Sequence, residues 1–237
     1  MWSVVAALCA VAMMEVLASL LIRRAFLRGI GRRPDRAQAL ASLHSRSILV
    51  RHLEAIRDRI GTDARTAQAM IAEFSELLRP LLRTAHASDV ALHEELAIVA
   101  HAVAFDDLRR IHGLELELDI DPVAAEARVP VLLVQALIST ILTNSLDDGT
   151  ANLTVRARIT GEFLRIDASY EPCMVRPIDS RPLQEWLTLL FGKRASVHFS
   201  QPERTCIGQM QLPFRTKSRD APGFGDRARS ASDESRL

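Results

Sequence analysis

The sequence predicts an α+β protein: a membrane-spanning helix, then a helical hairpin, then an α/β sandwich built on a mixed sheet. Three observations predict it. An unbroken apolar run opens the chain, WSVVAALCAVAMMEVLASLLI from Trp2 to Ile22. Two stretches with helical spacing follow it, separated by Gly61-Thr62-Asp63. From Leu114 the period shortens to two, the mark of half-buried strands.

The apolar run is of the length a helix needs to cross a bilayer, about twenty residues. No Lys or Arg precedes it, whereas Arg23, Arg24, Arg28, Arg32 and Arg33 follow closely. That asymmetry leaves the C-terminal side in the cytoplasm. No basic n-region or small-residue cleavage site is evident, so an uncleaved, single-pass anchor in the inner (cytoplasmic) membrane is expected over 1–23. Glu15 is costly at that depth and reads either as a protonated acid tolerated in a single-span helix or as a contact with a partner helix. A basic linker, 24–38, contains Gly29, Gly31 and Pro34, a natural joint.

Leu40, Leu43, Val50, Leu53 and Ile60 fall on one face of a helix, as do Ala67, Met70, Ile71, Phe74, Leu77, Leu78, Leu81 and Leu82 after the turn. The two form an antiparallel hairpin over 39–88. Two helices enclose no core alone, so a four-helix bundle with a second copy is expected. Leu43, Val50, Leu53, Phe74 and Leu78 are its expected dimer interface. Pro80 predicts a kink or an early end to the second helix.

A further helix is predicted over Val90–Ile111, leading into a domain at 89–215. Leu114, Leu116, Leu118 and Ile120 alternate with acids. Pro130 opens the apolar helix VPVLLVQALISTILTNSL. Alternation returns over Leu153–Ile159 and Leu164–Ala168. Pro182–Phe191 reads as a helix stopped by Gly192, with strands at Ala195–Phe199 and Cys206–Leu212. This order gives a mixed sheet with helices on one face. The polar tail, 216–237, has the composition of a disordered segment.

Composition bounds the partners. The 237 residues carry a net charge of +1, with 48% hydrophobic and 25% charged residues. Neither value suggests nucleic-acid binding. Cys9, Cys173 and Cys206 lie far apart without metal-ligand spacing, which fits a reduced cytosolic body.

Several stretches in shared order carry a family likeness: FSELLRPLLRT, the Leu-x-x-Glu-Leu pattern in VALHEELAIVAHAVAFDDLRR, DIDPVAAEARVPVLLVQALI and RPLQEWLTLLFGKRASVHFS. Together they resemble the LytS-type sensor histidine kinases, whose ATP-binding domain is of the GHKL class. The resemblance implies a hairpin that dimerises and a sandwich that binds nucleotide. It also locates departures from the pattern. The family's Pro-His-Phe-Leu-Phe-Asn is here Arg46-Ser47-Ile48-Leu49-Val50-Arg51, so Ser47 stands at the phosphoacceptor position. A serine ester does not readily pass its phosphoryl group to an aspartate. His52 is the alternative acceptor, provided it faces solvent.

For nucleotide, the family uses an asparagine on the first sandwich helix, helped by a preceding Glu, to hold Mg²⁺ and phosphates. An alignment anchored on Pro130 puts Ser139 and Thr140 there; one anchored on Gly149 puts Thr143 and Asn144. Both lose the Glu, and the second keeps Asn144 as a candidate cofactor contact. The glycine loop that should follow is Tyr170-Glu171-Pro172-Cys173-Met174-Val175-Arg176-Pro177, which has no glycine to let backbone amides cradle phosphates. Mg-ATP binding is therefore expected to be weak or absent, with no resident cofactor. The expected function is that of a degenerate kinase-like protein acting by contacts. Its expected partners are a second copy or a histidine kinase, with a response regulator as a further candidate. Arg46, Arg51, Arg57 and Arg59 are candidates for setting partner choice by charge. The alternatives are a histidine phosphotransferase using His52 and an atypical active kinase.

Overall fold

The computed structural model describes residues 36–84, 87–110, 113–144, 150–171 and 178–216, with side chains described from Ser47 on. The expected anchor, the linker as far as Asp35, and all but the first residue of the tail lie outside these. Among the described residues no helix is long and apolar enough to cross a membrane.

Helices α1 (Arg36–Ile60) and α2 (Ala64–Thr84) form the hairpin. Asp63 starts α2: its carboxylate accepts from the Thr66 amide at 3.0 Å and the Thr66 hydroxyl at 2.6 Å. Those bonds, the hydroxyl's first, hold the Asp63 carboxyl below its ordinary range. Pro80 does not end the helix early; α2 runs through it to Thr84, with Pro80 buried.

A short strand, β1 (Asp89–Ala91), precedes α3 (Leu92–Arg109). Then come β2 (Leu114–Ile120), the single turn α4 (Pro122–Ala125), β3 (Arg128–Pro130) and α5 (Leu133–Asn144). The strands β4 (Ala151–Thr160) and β5 (Phe163–Glu171), helix α6 (Arg181–Phe191), β6 (Ser196–Ser200) and β7 (Cys206–Pro213) complete the described chain. Gly192 stops α6 with a φ of 63°, a conformation that side-chain-bearing residues resist. Two expectations shift here. The segment expected to start a helix at Val90 begins as β1, which pairs antiparallel with β3. The helix expected to open at Pro130 begins only at Leu133.

The main sheet has the order β2-β4-β5-β7-β6. β2 and β4 run parallel and every other pair antiparallel, so the sheet is mixed, as expected. Leu153, Val155 and Ala157 on β4 and Leu164, Ile166 and Ala168 on β5 turn inward beneath the helices. Arg156, Arg158 and Arg165 take the other face. Gly208 on β7 lets α5 approach. A Cβ there would stand 3.0 Å from Leu137 Cδ1 and 3.1 Å from Ile141 Cδ1, closer than packed carbons accept.

The hairpin does not stand apart from this core. Ile48 and Ile56 of α1 and Met70, Phe74 and Leu77 of α2 are buried in one cluster with Leu96, Val99, Val103 and Phe105 of α3. The reasoning that two helices cannot enclose a core holds, but the third wall is α3 of the same chain. Phe74, expected at a dimer interface, is 2% exposed and meets Phe105 edge-on at 6.5 Å. Leu53 and Leu78 pack partly against the same core. Val50 alone of the four described residues of that expected interface is largely exposed, at 50%, and the side chain of Leu43 lies outside the described residues.

Candidate functional site

Helix α5 is positioned at both ends by side chains from elsewhere. At its start, Glu95 of α3 is fully buried and accepts from the Leu132 amide at 2.9 Å and the Gln135 amide at 3.2 Å. A helix start leaves amides unpaired, and a carboxylate satisfies them while complementing the helix dipole. Burial pushes the Glu95 carboxyl up to about 7, and the amides of Leu132, Gln135 and Val134 oppose that rise. Leu132 has a φ of 67°, unusual for a residue with a side chain. The Glu95 bond to its amide holds that strained turn in place. Glu95 is the glutamate of the Leu-x-x-Glu-Leu pattern (Leu92 to Leu96). That pattern was the available signal for it, though the sequence reading assigned it no role.

The far end of α5 carries Asn144, the candidate cofactor contact, and the three other residues that the two alignments put at the family's metal and phosphate positions. Ser139 is buried, 7% exposed. Its hydroxyl accepts from Arg51 Nη2 at 2.9 Å, and Thr143 Oγ1 accepts from Arg51 Nη1 at 2.7 Å. Thr140 donates to the Ala136 carbonyl at 2.8 Å. Asn144 donates through Nδ2 to the Thr140 carbonyl at 2.8 Å. Two of the four are thus held by the hairpin and two by the helix itself.

Ser47 is exposed, one turn before Arg51 on α1. The next residue to Arg51 corrects an expectation. His52 does not face solvent: it is 2% exposed, with its ring 4.2 Å from that of Phe105 and 5.9 Å from that of Phe74. Its Nδ1 lies 2.7 Å from the Ile48 carbonyl, which assigns the proton to Nδ1. Nε2 is buried with no partner among the described residues. Burial lowers the His52 pKa, against the opposing Ile48 bond and Asp106 charge. Its helical position, three and four residues from apolar neighbours, was the sequence signal that it belongs to the core stripe.

An open cleft of about 620 Å³ lies where the C-terminal ends of α1, α3 and α5 meet, lined by Arg51, Glu54, Asp58, Arg59, Arg109 and Thr143 among others. Its cations have structural work. Arg59 donates to the Arg109 carbonyl at 2.8 Å, and Arg109 pairs with Asp106 at 3.2 Å. Arginines at helix ends complement the exposed carbonyls there. Among the described residues no group of three or more His, Cys, Asp or Glu side chains is arranged to hold a metal. The segments 145–149 and 172–177, the second holding the glycine-free loop beyond Glu171, lie outside the described residues.

No family model matches the chain. A curated relative, an uncharacterized sensor-like histidine kinase of Staphylococcus epidermidis (strain ATCC 12228 / FDA PCI 1200), is 27% identical over 114 residues. The match covers 48% of this chain and 22% of the relative's length. Among solved structures, a bacterial phosphotransferase superposes with a TM-score of 0.44 at 13% identity, covering 74% of this chain and 95% of that one. The histidine kinase AdeS of Acinetobacter baumannii gives 0.41 at 11% identity, covering 85% and 95%. The catalytic domain of histidine kinase ThkA gives 0.40 at 11%, covering 53% and 93%. The chain thus resembles sensor histidine kinases, and the sequence match spans about a fifth of the relative it was matched to.

Proposed function

We propose that this histidine-kinase-like signalling protein is catalytically degenerate, anchored in the inner membrane through Trp2–Ile22, and works by dimerisation and protein contacts. The observation that carries the reading is the state of α5. The hydroxyls of Ser139 and Thr143 are held by Arg51, and the Asn144 amide donates to its own helix. A side chain committed to its own backbone is a poor start for a metal site, which needs oxygens aimed together at one point. Two further features agree. The acceptor position holds Ser47, and the nearest described imidazole, His52, is sealed in the core. A phosphoacceptor must reach its donor with an exposed nitrogen lone pair.

In this reading the partner is a second copy or a histidine kinase, with a response regulator as a further candidate. Val50 offers an exposed apolar contact on α1, next to Arg51. The test is titration of the full chain with Mg-ATP in a calorimeter, alongside incubation with γ-labelled ATP. The expected result is no binding heat at millimolar nucleotide and no protein-bound label. Saturable heat together with label on the chain would overturn the degenerate reading.

A further inference from the structure

The backbone of α1 packs chiefly on α2 and α6. Toward α5 it reaches with the long side chain of Arg51. The two hydroxyls it meets lie 88 and 92 residues away in sequence. They are four positions apart on α5, so one turn separates them and a single planar guanidinium fork spans both. Both partners are neutral. A guanidinium on hydroxyls is held less firmly than one on a carboxylate and exchanges more readily for water. Beside this clamp, on the same helix, His52 is buried with an unpartnered Nε2. A buried nitrogen without a partner makes the closed packing costly. The seat of α1 therefore combines a releasable hold with a built-in cost.

We propose that Arg51 is a releasable positioning latch. Closed, it seats α1 on α5 and hides the stripe Ile48, His52 and Ile56. Released, α1 lifts from α5 and from Phe105, and that stripe becomes accessible. The functional meaning, control of when the hairpin can offer its apolar face, rests on the contact-based function proposed above. The latch itself does not, and its test reads motion where that of the function reads nucleotide.

The experiment is hydrogen exchange followed by mass spectrometry on the full chain, comparing wild type, Arg51→Met and the pair Ser139→Ala with Thr143→Val. Methionine keeps much of the aliphatic stem and lacks the fork. In either variant, exchange over 47–56 and 139–144 is expected to rise about tenfold, with α2 and the central strands β4, β5 and β7 unchanged. Combining all three substitutions is expected to add nothing further. Unchanged exchange in both segments would overturn the latch. So would an equal rise across the central strands, which would make Arg51 an ordinary contributor to global stability. Should Arg51→Met fail to fold, the Ser139 and Thr143 pair carries the test with the same two outcomes.

Discussion

Glu95 and His52 are two buried titratable groups whose pH dependences oppose each other. The Glu95 carboxyl is raised from 4.5 to about 7, so the folded chain holds that proton more tightly than the unfolded chain. The stability it contributes is full below about 4.5 and is lost as pH rises through 7. His52 is lowered from 6.5, so its contribution is full above 6.5 and is lost as pH falls below that value. We predict that Glu95→Gln flattens the loss of thermal stability between pH 5 and pH 8. We also predict that His52→Leu flattens the loss between pH 7 and pH 5. Melting temperatures across that range check both, and unaltered slopes would refute the assignment. At fixed pH, Glu95→Ala leaves the Leu132 and Gln135 amides without their acceptor and should cost about 2 to 4 kcal/mol in urea unfolding. Neither burial was a simple matter of composition. The sequence marks His52 as part of a helical stripe, but which face of a helix is covered depends on what packs on it.

Among the elements, α3 changes the meaning of the hairpin. The stripes on α1 and α2 were legible because apolar residues recur at helical spacing. What covers them was not, since periodicity says that a face is buried and never against what. The expected cover was a second copy; the structure supplies Phe105 of the same chain, whose ring meets those of His52 and Phe74. This separates residues that the sequence grouped together. Phe74→Ala should destabilise the isolated chain by about 3 to 5 kcal/mol, because it empties a core site. Val50→Glu should leave the unfolding free energy within about 0.5 kcal/mol of wild type, because it lies at the surface. If Val50 lies in a dimer contact, the same change should shift sedimentation from dimer to monomer; a dimer that survives it uses another face. The three-residue strands β1 and β3 were missed for a related reason. Three residues are too few to show a period, and their pairing joins segments about forty residues apart.

At the scale of the whole molecule, the remaining prediction concerns the anchor proposed over residues 1–23. Removing residues 1–23 is expected to move the chain from the membrane fraction to the soluble fraction, as read by sedimentation of cell lysates. Retention of the shortened chain in the membrane would show that another part of it binds there. By itself the sequence determined what depends on neighbours a few positions apart. This covers the strand alternation of β2, β4 and β5, the two helical stripes and the stop at Gly192. Those features are set by local periodicity, backbone freedom and residue chemistry. Only the tertiary structure decided that α3 closes the hairpin, that His52 is sealed between Phe74 and Phe105, and that Arg51 reaches Ser139 and Thr143. Each of these joins residues tens of positions apart, and side-chain partners at that distance are chosen by the packing of whole elements, which no local pattern encodes.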